Sequence, residues 1–100
     1  MNPDRHPDKV SAFVDGKRVR ELRILLRHAA FLITRDMGTA ECTRIYVEDD
    51  VVRCGDRQDG KLGPGVVQRV ELDTGRGLKI TTSRGVVWAP HSDLQATWTP

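Results

Sequence analysis

The chain has 100 residues, 38% of them apolar and 30% charged, which is typical of a single globular domain too small to hold a large cleft. It has no apolar run long enough to cross a bilayer, and its two cysteines are too few for a disulfide scaffold. Its net charge of +2 is uneven, because residues 17–35 hold six basic residues and one acid whereas residues 44–98 hold eight of each.

Residues 1–9 are predicted to form a flexible tail, since Pro3 and Pro7 lie among charged residues there. The tail lacks the apolar segment of a secretion signal, so a cytoplasmic location is expected. The next segment, "VSAFVDGKRV", has an apolar run followed by Asp15-Gly16. It is either a tight hairpin with an Asp-Gly turn or a short helical turn that ends at Gly16.

An amphipathic helix is predicted to follow within residues 10–38. Apolar residues recur there at intervals of three and four over about four turns. They are Val19, Leu22, Leu25, Leu26, Ala29, Leu32 and Ile33. Gly38 suits the left-handed position that ends a helix, so the predicted helix ends near Asp36-Met37-Gly38.

The opposite side of this predicted helix carries a second, basic pattern. It consists of Arg20, Ile24, Arg27, Phe31 and Arg35, with Arg23 nearby. In one interpretation Ile24 and Phe31 touch the tail or a loop and the arginines are solvated. In the other, this side contacts nucleic-acid phosphates or a protein partner, because guanidinium groups pair well with anions.

Residues 43–99 are predicted to form a small barrel of five short strands. The runs "RIYV", "DVVRC", "GVVQRVEL", "LKITT" and "VVWA" have the period of two that is typical of strands. Turns are expected at residues 73–77 and at Ser83-Arg84-Gly85. The segment "APHSDLQATW" favours one 3₁₀ turn ahead of a closing strand.

This order of elements resembles the SH3-like barrels. More narrowly, "DDVVRCGDRQDGKLGPGVVQRVEL" followed by "GLKITTSRGVVWAPHSDL" is similar to the KOW, Tudor and CarD-type modules that interact with RNA polymerase. The resemblance covers residues 50–95 and implies contact with nucleic acid or the transcription machinery in a bacterial-type protein. The chain departs from the pattern in two respects. CarD-type proteins carry a helical DNA-binding domain after the barrel, whereas the helix predicted here lies before it. Many KOW modules are basic, whereas the predicted barrel of this chain has equal numbers of basic and acidic residues.

The stretch "GDRQDGKLGPGVV" begins like a phosphate-binding P-loop, with glycine, four residues, glycine and lysine. The residue after Lys61 is Leu62, so the hydroxyl that would hold magnesium is missing. Gly63-Pro64-Gly65 follows, and it cannot begin a stable helix. The stretch is therefore predicted to be a loop beside a strand, in which Arg57 and Lys61 are the candidate binding residues.

No catalytic, cofactor or metal site is expected. Cys42 and Cys54 match no zinc-binding spacing with His28 or His91 and are predicted to be free thiols. Adjacent residues such as His91-Ser92-Asp93 cannot form a hydrolase triad. The acidic run at residues 48–50 is predicted to be a solvated turn, or to pair with arginines of the basic segment.

The two tryptophans leave two alternatives. Either Trp88 is a core residue and Trp98 covers the end of the barrel, or one indole is exposed as a binding residue, as in barrels that bind bases or peptides.

The sequence thus predicts an α+β protein, a basic amphipathic helix packed on a five-stranded SH3-like barrel, with no enzymatic activity. Its expected partners are nucleic acid or RNA polymerase, with no membrane and no small-molecule substrate. The alternative is an adaptor for protein–protein interaction, or a small homodimer, that uses Ile24, Phe31 and a barrel edge. The candidate binding residues are Arg20, Arg23, Ile24, Arg27, Phe31, Arg35, Arg57, Lys61 and Trp88.

Overall fold

The computed structural model describes residues 9–34, 38–54 and 65–100, and these residues form nine strands and one 3₁₀ turn. The strands are β1 Ser11–Val14, β2 Lys17–Val19, β3 Glu21–Thr34, β4 Gly38–Glu48, β5 Val51–Cys54, β6 Val67–Asp73, β7 Gly77–Thr82, β8 Gly85–Pro90 and β9 Leu94–Thr99. The 3₁₀ turn is His91–Asp93, directly ahead of β9, as the sequence predicts. In the described part of the chain no helix has the length and hydrophobicity needed to span a membrane.

The predicted helix is wrong, because residues 21–34 form the longest strand, β3. Leu22, Ile24 and Leu26 alternate inward, Arg23 lies exposed between the first two, and Arg27 lies exposed directly after Leu26. Leu25 breaks the apparent alternation, since it is apolar but outward-facing and 46% exposed. Together with the apolar residues that follow, it produces a spacing that resembles a helix.

An irregularity in β3 explains the rest of the misleading pattern. The pairing between β3 and β4 shifts between Leu25 and Ala30, where four residues of β3 lie opposite a single residue of β4. Such a bulge inserts unpaired residues without ending the strand. The regular alternation therefore stops in the middle of β3 and resumes with Ala30, Leu32 and Thr34 buried.

The strands belong to two open sheets, so the predicted single five-stranded barrel is also wrong. One sheet has five strands in the order β2-β1-β6-β7-β8, and the other has four in the order β5-β4-β3-β9. The pairing of β1 with β6 is parallel, and the other strand pairings within the sheets are antiparallel. The N-terminal third thus contributes strands to both sheets.

The two sheets pack against each other through one apolar core. Leu22, Ile24 and Ile45 of the four-stranded sheet are fully buried with Val70, Leu78 and Ile80 of the five-stranded sheet. Burying each such side chain contributes about 1.5–3 kcal/mol relative to leaving it in water. The core fixes which face of each sheet points outward, and those outer faces are where a partner can bind.

The hairpins predicted from local turn residues are present. Of the two alternatives for residues 10–19, the structure has the hairpin: β1 pairs with β2 around Asp15-Gly16, with φ of 50° and 84° at these residues. The turns at residues 73–77 and at Ser83-Arg84 join β6 to β7 and β7 to β8. These hairpins place Trp88 on the outer face of the five-stranded sheet.

Candidate functional site: the outer face of the five-stranded sheet

The basic segment does not form the single face that the helical pattern predicts. Ile24 is fully buried in the core, whereas Arg23 and Arg27 point to the other side of β3. Arg20 is exposed between β2 and β3, where its backbone N–H donates to the carbonyl of Thr99 at 3.0 Å. Phe31 is half-buried. A strand alternates its side chains, so it separates residues that a helix would group.

Three further candidates, Arg35, Arg57 and Lys61, lie outside the described residues, and so do residues 1–8 of the predicted tail and the predicted loop at residues 55–64. Their predicted role in binding stays a prediction.

The acidic residues 48–50 lie at the end of β4 and in the turn before β5. Asp50 pairs there with basic residues from the N-terminal third. Asp50 lies 2.8 Å from the guanidinium of Arg18 and 3.5 Å from the ammonium of Lys9. Its backbone carbonyl also accepts a 2.8 Å hydrogen bond from the N–H of Val10. Part of the basic charge of residues 9–20 is therefore engaged within the chain.

Trp88 is the most prominent exposed aromatic residue, with 47% of its surface accessible. The β7–β8 register places it directly opposite Lys79, on the face that points away from the core. Two cations lie over its ring: the Arg76 guanidinium at 5.3 Å and the Lys79 ammonium at 5.9 Å from the ring centroid. Trp88 is therefore exposed and not a core residue, and its role in binding stays a prediction.

The turn that carries Arg76 is built by two aspartates. The Asp73 carboxylate accepts hydrogen bonds from the backbone N–H groups of Gly75 at 2.9 Å and Arg76 at 3.1 Å. The Asp15 carboxylate, from the β1–β2 turn, accepts from the N–H and the hydroxyl of Thr74, both at 2.9 Å. Such local bonds hold a turn in one conformation. The backbone from which the Arg76 side chain reaches Trp88 is thus fixed.

The same sheet face carries a second aromatic and cation pair. The Arg69 guanidinium lies 4.1 Å from the centroid of the Phe13 ring and 3.1 Å from the Glu71 carboxylate. Lys79 also contacts Glu71, at 3.8 Å. Glu71 therefore links the two cations across β6 and β7.

We call this surface the Trp88 face. It comprises Phe13, Arg69, Glu71, Arg76, Lys79, Val86 and Trp88. Three basic residues and one acid give it a net charge of +2. An indole between cations can stack a flat aromatic group while the cations pair with anions attached to it.

Sequence reasoning finds Trp88 but misses its neighbours Arg76, Lys79 and Arg69. A signal for Lys79 is available, because a two-residue turn at Ser83-Arg84 fixes the hairpin register and places Lys79 opposite Trp88. Arg69 has no such signal, since its contact with Phe13 depends on the pairing of β1 with β6 across some 55 residues of chain.

Trp98 is 42% exposed but occupies a different position. It lies in β9, opposite Leu22 at the end of the four-stranded sheet. Since Leu22 faces the core, Trp98 lies on the same inner side of the sheet, in its edge strand β9. It is therefore separate from the Trp88 face.

Neither of the two cysteines is in a disulfide, and their thiols interact. A hydrogen bond from the buried Cys42 thiol lowers the pKa of Cys54, and partial burial of Cys54 opposes this effect. Among residues 9–34, 38–54 and 65–100 no group of three or more His, Cys, Asp or Glu side chains could hold a metal ion.

The thiol contact has a measurable consequence. We expect iodoacetamide to alkylate Cys54 more slowly in the Cys42→Ala variant at neutral pH, because losing the donor raises the pKa of Cys54 and lowers its thiolate fraction. Cys42→Ser retains a donor and should keep most of the rate. Mass spectrometry of timed digests measures this, and equal rates in all three proteins would show that the Cys42 thiol does not lower the pKa of Cys54.

Comparison with protein-family models, curated proteins and solved structures found no match. Function is therefore inferred from the chemistry of the chain's own residues.

Proposed function

We propose that the protein binds single-stranded nucleic acid on the Trp88 face, as a non-enzymatic protein of the cytoplasm. The observation that carries this proposal is the half-exposed Trp88 ring with Arg76 and Lys79 within 6 Å of its centroid. An unpaired base stacks on the indole, and the two cations pair with the flanking phosphates. Stacking on an aromatic side chain contributes about 1–3 kcal/mol per base.

A single strand fits this face better than a duplex. Bases in a duplex are already stacked on one another, so an exposed ring on a sheet cannot reach their flat surfaces without unpairing them. The cations adjoin the ring itself and do not form a separate stripe along a helix or a sheet edge. That arrangement suits one nucleotide whose base and phosphate bind side by side.

The sequence of residues 50–95 resembles KOW and CarD-type modules, and this resemblance suggests where the protein binds nucleic acid. It implies that the single-stranded nucleic acid is bound in the transcription machinery, next to RNA polymerase. The adaptor alternative is less well supported, because Ile24, one of its two helix-face residues, is fully buried.

Trp88→Ala should weaken binding of a labelled oligothymidylate or oligouridylate by roughly 5- to 150-fold, the equivalent of about 1–3 kcal/mol. Trp88→Phe keeps a stacking ring and should weaken binding much less. Trp98→Ala is the matched control, since it removes a similarly exposed indole from another place. Fluorescence anisotropy measures the affinities. Equal weakening by Trp88→Ala and Trp98→Ala would contradict the assignment of the site.

The salt dependence supplies a second readout for the same experiment. For a single strand, the slope of log affinity against log salt becomes shallower by about 0.7 for each phosphate that the protein no longer neutralises. Arg76→Ala combined with Lys79→Ala should therefore flatten the slope, whereas Trp88→Ala should leave it nearly unchanged. If the unaltered protein shows no binding at about 50 mM salt, where the counterion-release term is strong, the proposed function is wrong.

A further inference from the structure

The outer face of the four-stranded sheet carries a second aromatic ring between cations. Tyr46 of β4 is 36% exposed. It lies in register with Arg23 of β3 on one side and with Arg53 of β5 on the other. The Arg23 guanidinium is 5.7 Å from the centroid of the Tyr46 ring. The row Arg53-Tyr46-Arg23 thus places an exposed ring between two exposed arginines.

The charge on this face is distributed unevenly. Arg44 lies two residues before Tyr46 on the same strand, so it shares the outer face, and it is opposite the exposed Leu25. The acids Glu21 and Glu48 are opposite each other in the next row in the other direction. Glu21 is 3.8 Å from Arg23. The cationic side of the face therefore runs from Tyr46 toward Arg44, away from the glutamates.

We call the surface formed by Arg23, Arg44, Tyr46 and Arg53 the Tyr46 face. We propose that it is a second binding site for single-stranded nucleic acid. The inference rests on the proposed function, since it uses the same chemistry: an unpaired base stacks on Tyr46, and Arg53 and Arg44 pair with its phosphates. Arginine suits this role because its planar guanidinium both stacks on rings and binds phosphate oxygens in pairs.

The packing of the sheets makes the two sites independent. The sheets share one core through their inner faces, so the Trp88 face and the Tyr46 face point in opposite directions. A base stacked on one ring cannot also stack on the other, because both packed sheets lie between the two rings. The protein would therefore hold two strands at once, or two segments of one long strand, and a long strand would gain affinity by binding twice.

The test is the stoichiometry of binding to hexathymidylate and hexauridylate, measured by isothermal titration calorimetry. We expect two oligonucleotides per chain. Tyr46→Ala should weaken one of the two binding events and Trp88→Ala the other, each roughly 5- to 150-fold, and the double variant should weaken both. Tyr46→Phe keeps the ring and should keep both. Circular dichroism and thermal melting establish that each variant is folded.

The outcomes separate this inference from the proposed function. One oligonucleotide per chain, lost in Trp88→Ala and unchanged in Tyr46→Ala, overturns the second site and leaves the first in place. One oligonucleotide whose binding both variants weaken equally also overturns it, because the two faces would not be independent. No binding by the unaltered protein overturns the proposed function and the second site together.

Discussion

Ile24→Ala is expected to lower the free energy of unfolding by about 2–5 kcal/mol, whereas Leu25→Ala is expected to cost less than about 1 kcal/mol. Ile24 is fully buried, and truncating it leaves a cavity between the two sheets. Leu25 is 46% exposed on the outer face, so its truncation disturbs little packing. Urea denaturation of the two variants and the unaltered protein measures both changes.

The two adjacent positions form a matched pair because the helical pattern predicts the opposite order. In a helix, Leu25 belongs to the apolar stripe and Ile24 to the basic side. A larger loss of stability at Leu25 than at Ile24 would therefore support the helix and contradict strand β3. Equal slopes against urea in all three proteins would show that the variants differ in stability alone.

The sequence predicts a helix in place of β3 because local propensity and spacing both favour it there. The segment is rich in leucine, arginine and alanine, which are good helix formers. Its outward Leu25 and its bulge add apolar residues at helical spacing. Tertiary context overrides this weak preference: β4 pairs along β3 on one side and β9 pairs with Glu21–Leu26 on the other. Neither partner can be recognised from the segment itself.

The second half of the chain is more predictable because its information is local. Short turns join β6 to β7 and β7 to β8, and the glycines at 77 and 85, where the following strands begin, mark both turns in the sequence. Long-range pairing is not predictable in the same way. The parallel contact of β1 with β6 joins residues that are far apart in the chain, and no pattern in "SAFV" specifies it.

The candidate site is likewise predictable where the information is local and unpredictable where it depends on long-range packing. Trp88 is identifiable as a large aromatic residue in a predicted strand, and its exposure is one of two alternatives that the sequence leaves open. The choice between them depends on which side of β8 faces the core. That side is fixed by Leu78, Ile80 and Ala89, which are buried against the other sheet. Local sequence therefore locates the residue, and the packing of the sheets determines that it is available to a partner.

Gly77→Ala is expected to destabilise the protein by about 4 kcal/mol or more, a large part of the roughly 5–15 kcal/mol that holds a small domain folded. Gly77 has a φ of 133°, which disfavours any side chain. A Cβ added there would also clash with the Ala89 carbonyl oxygen and lie 2.8 Å from the His91 nitrogen. Both are backbone atoms, so β8 itself would have to move.

Gly85 provides the control, because its φ of 135° is nearly the same and a Cβ added there meets nothing within 4 Å. Gly85→Ala should therefore show only the backbone strain, about 1–3 kcal/mol. The difference between the two variants, measured by thermal and urea unfolding, isolates the close approach of β7 to the end of β8. Equal destabilisation by both would show that β7 and β8 leave room for a methyl group at Gly77. Because Ala89 adjoins Trp88, a Gly77→Ala protein that still folds should also bind oligonucleotide more weakly, whereas Gly85→Ala should bind normally.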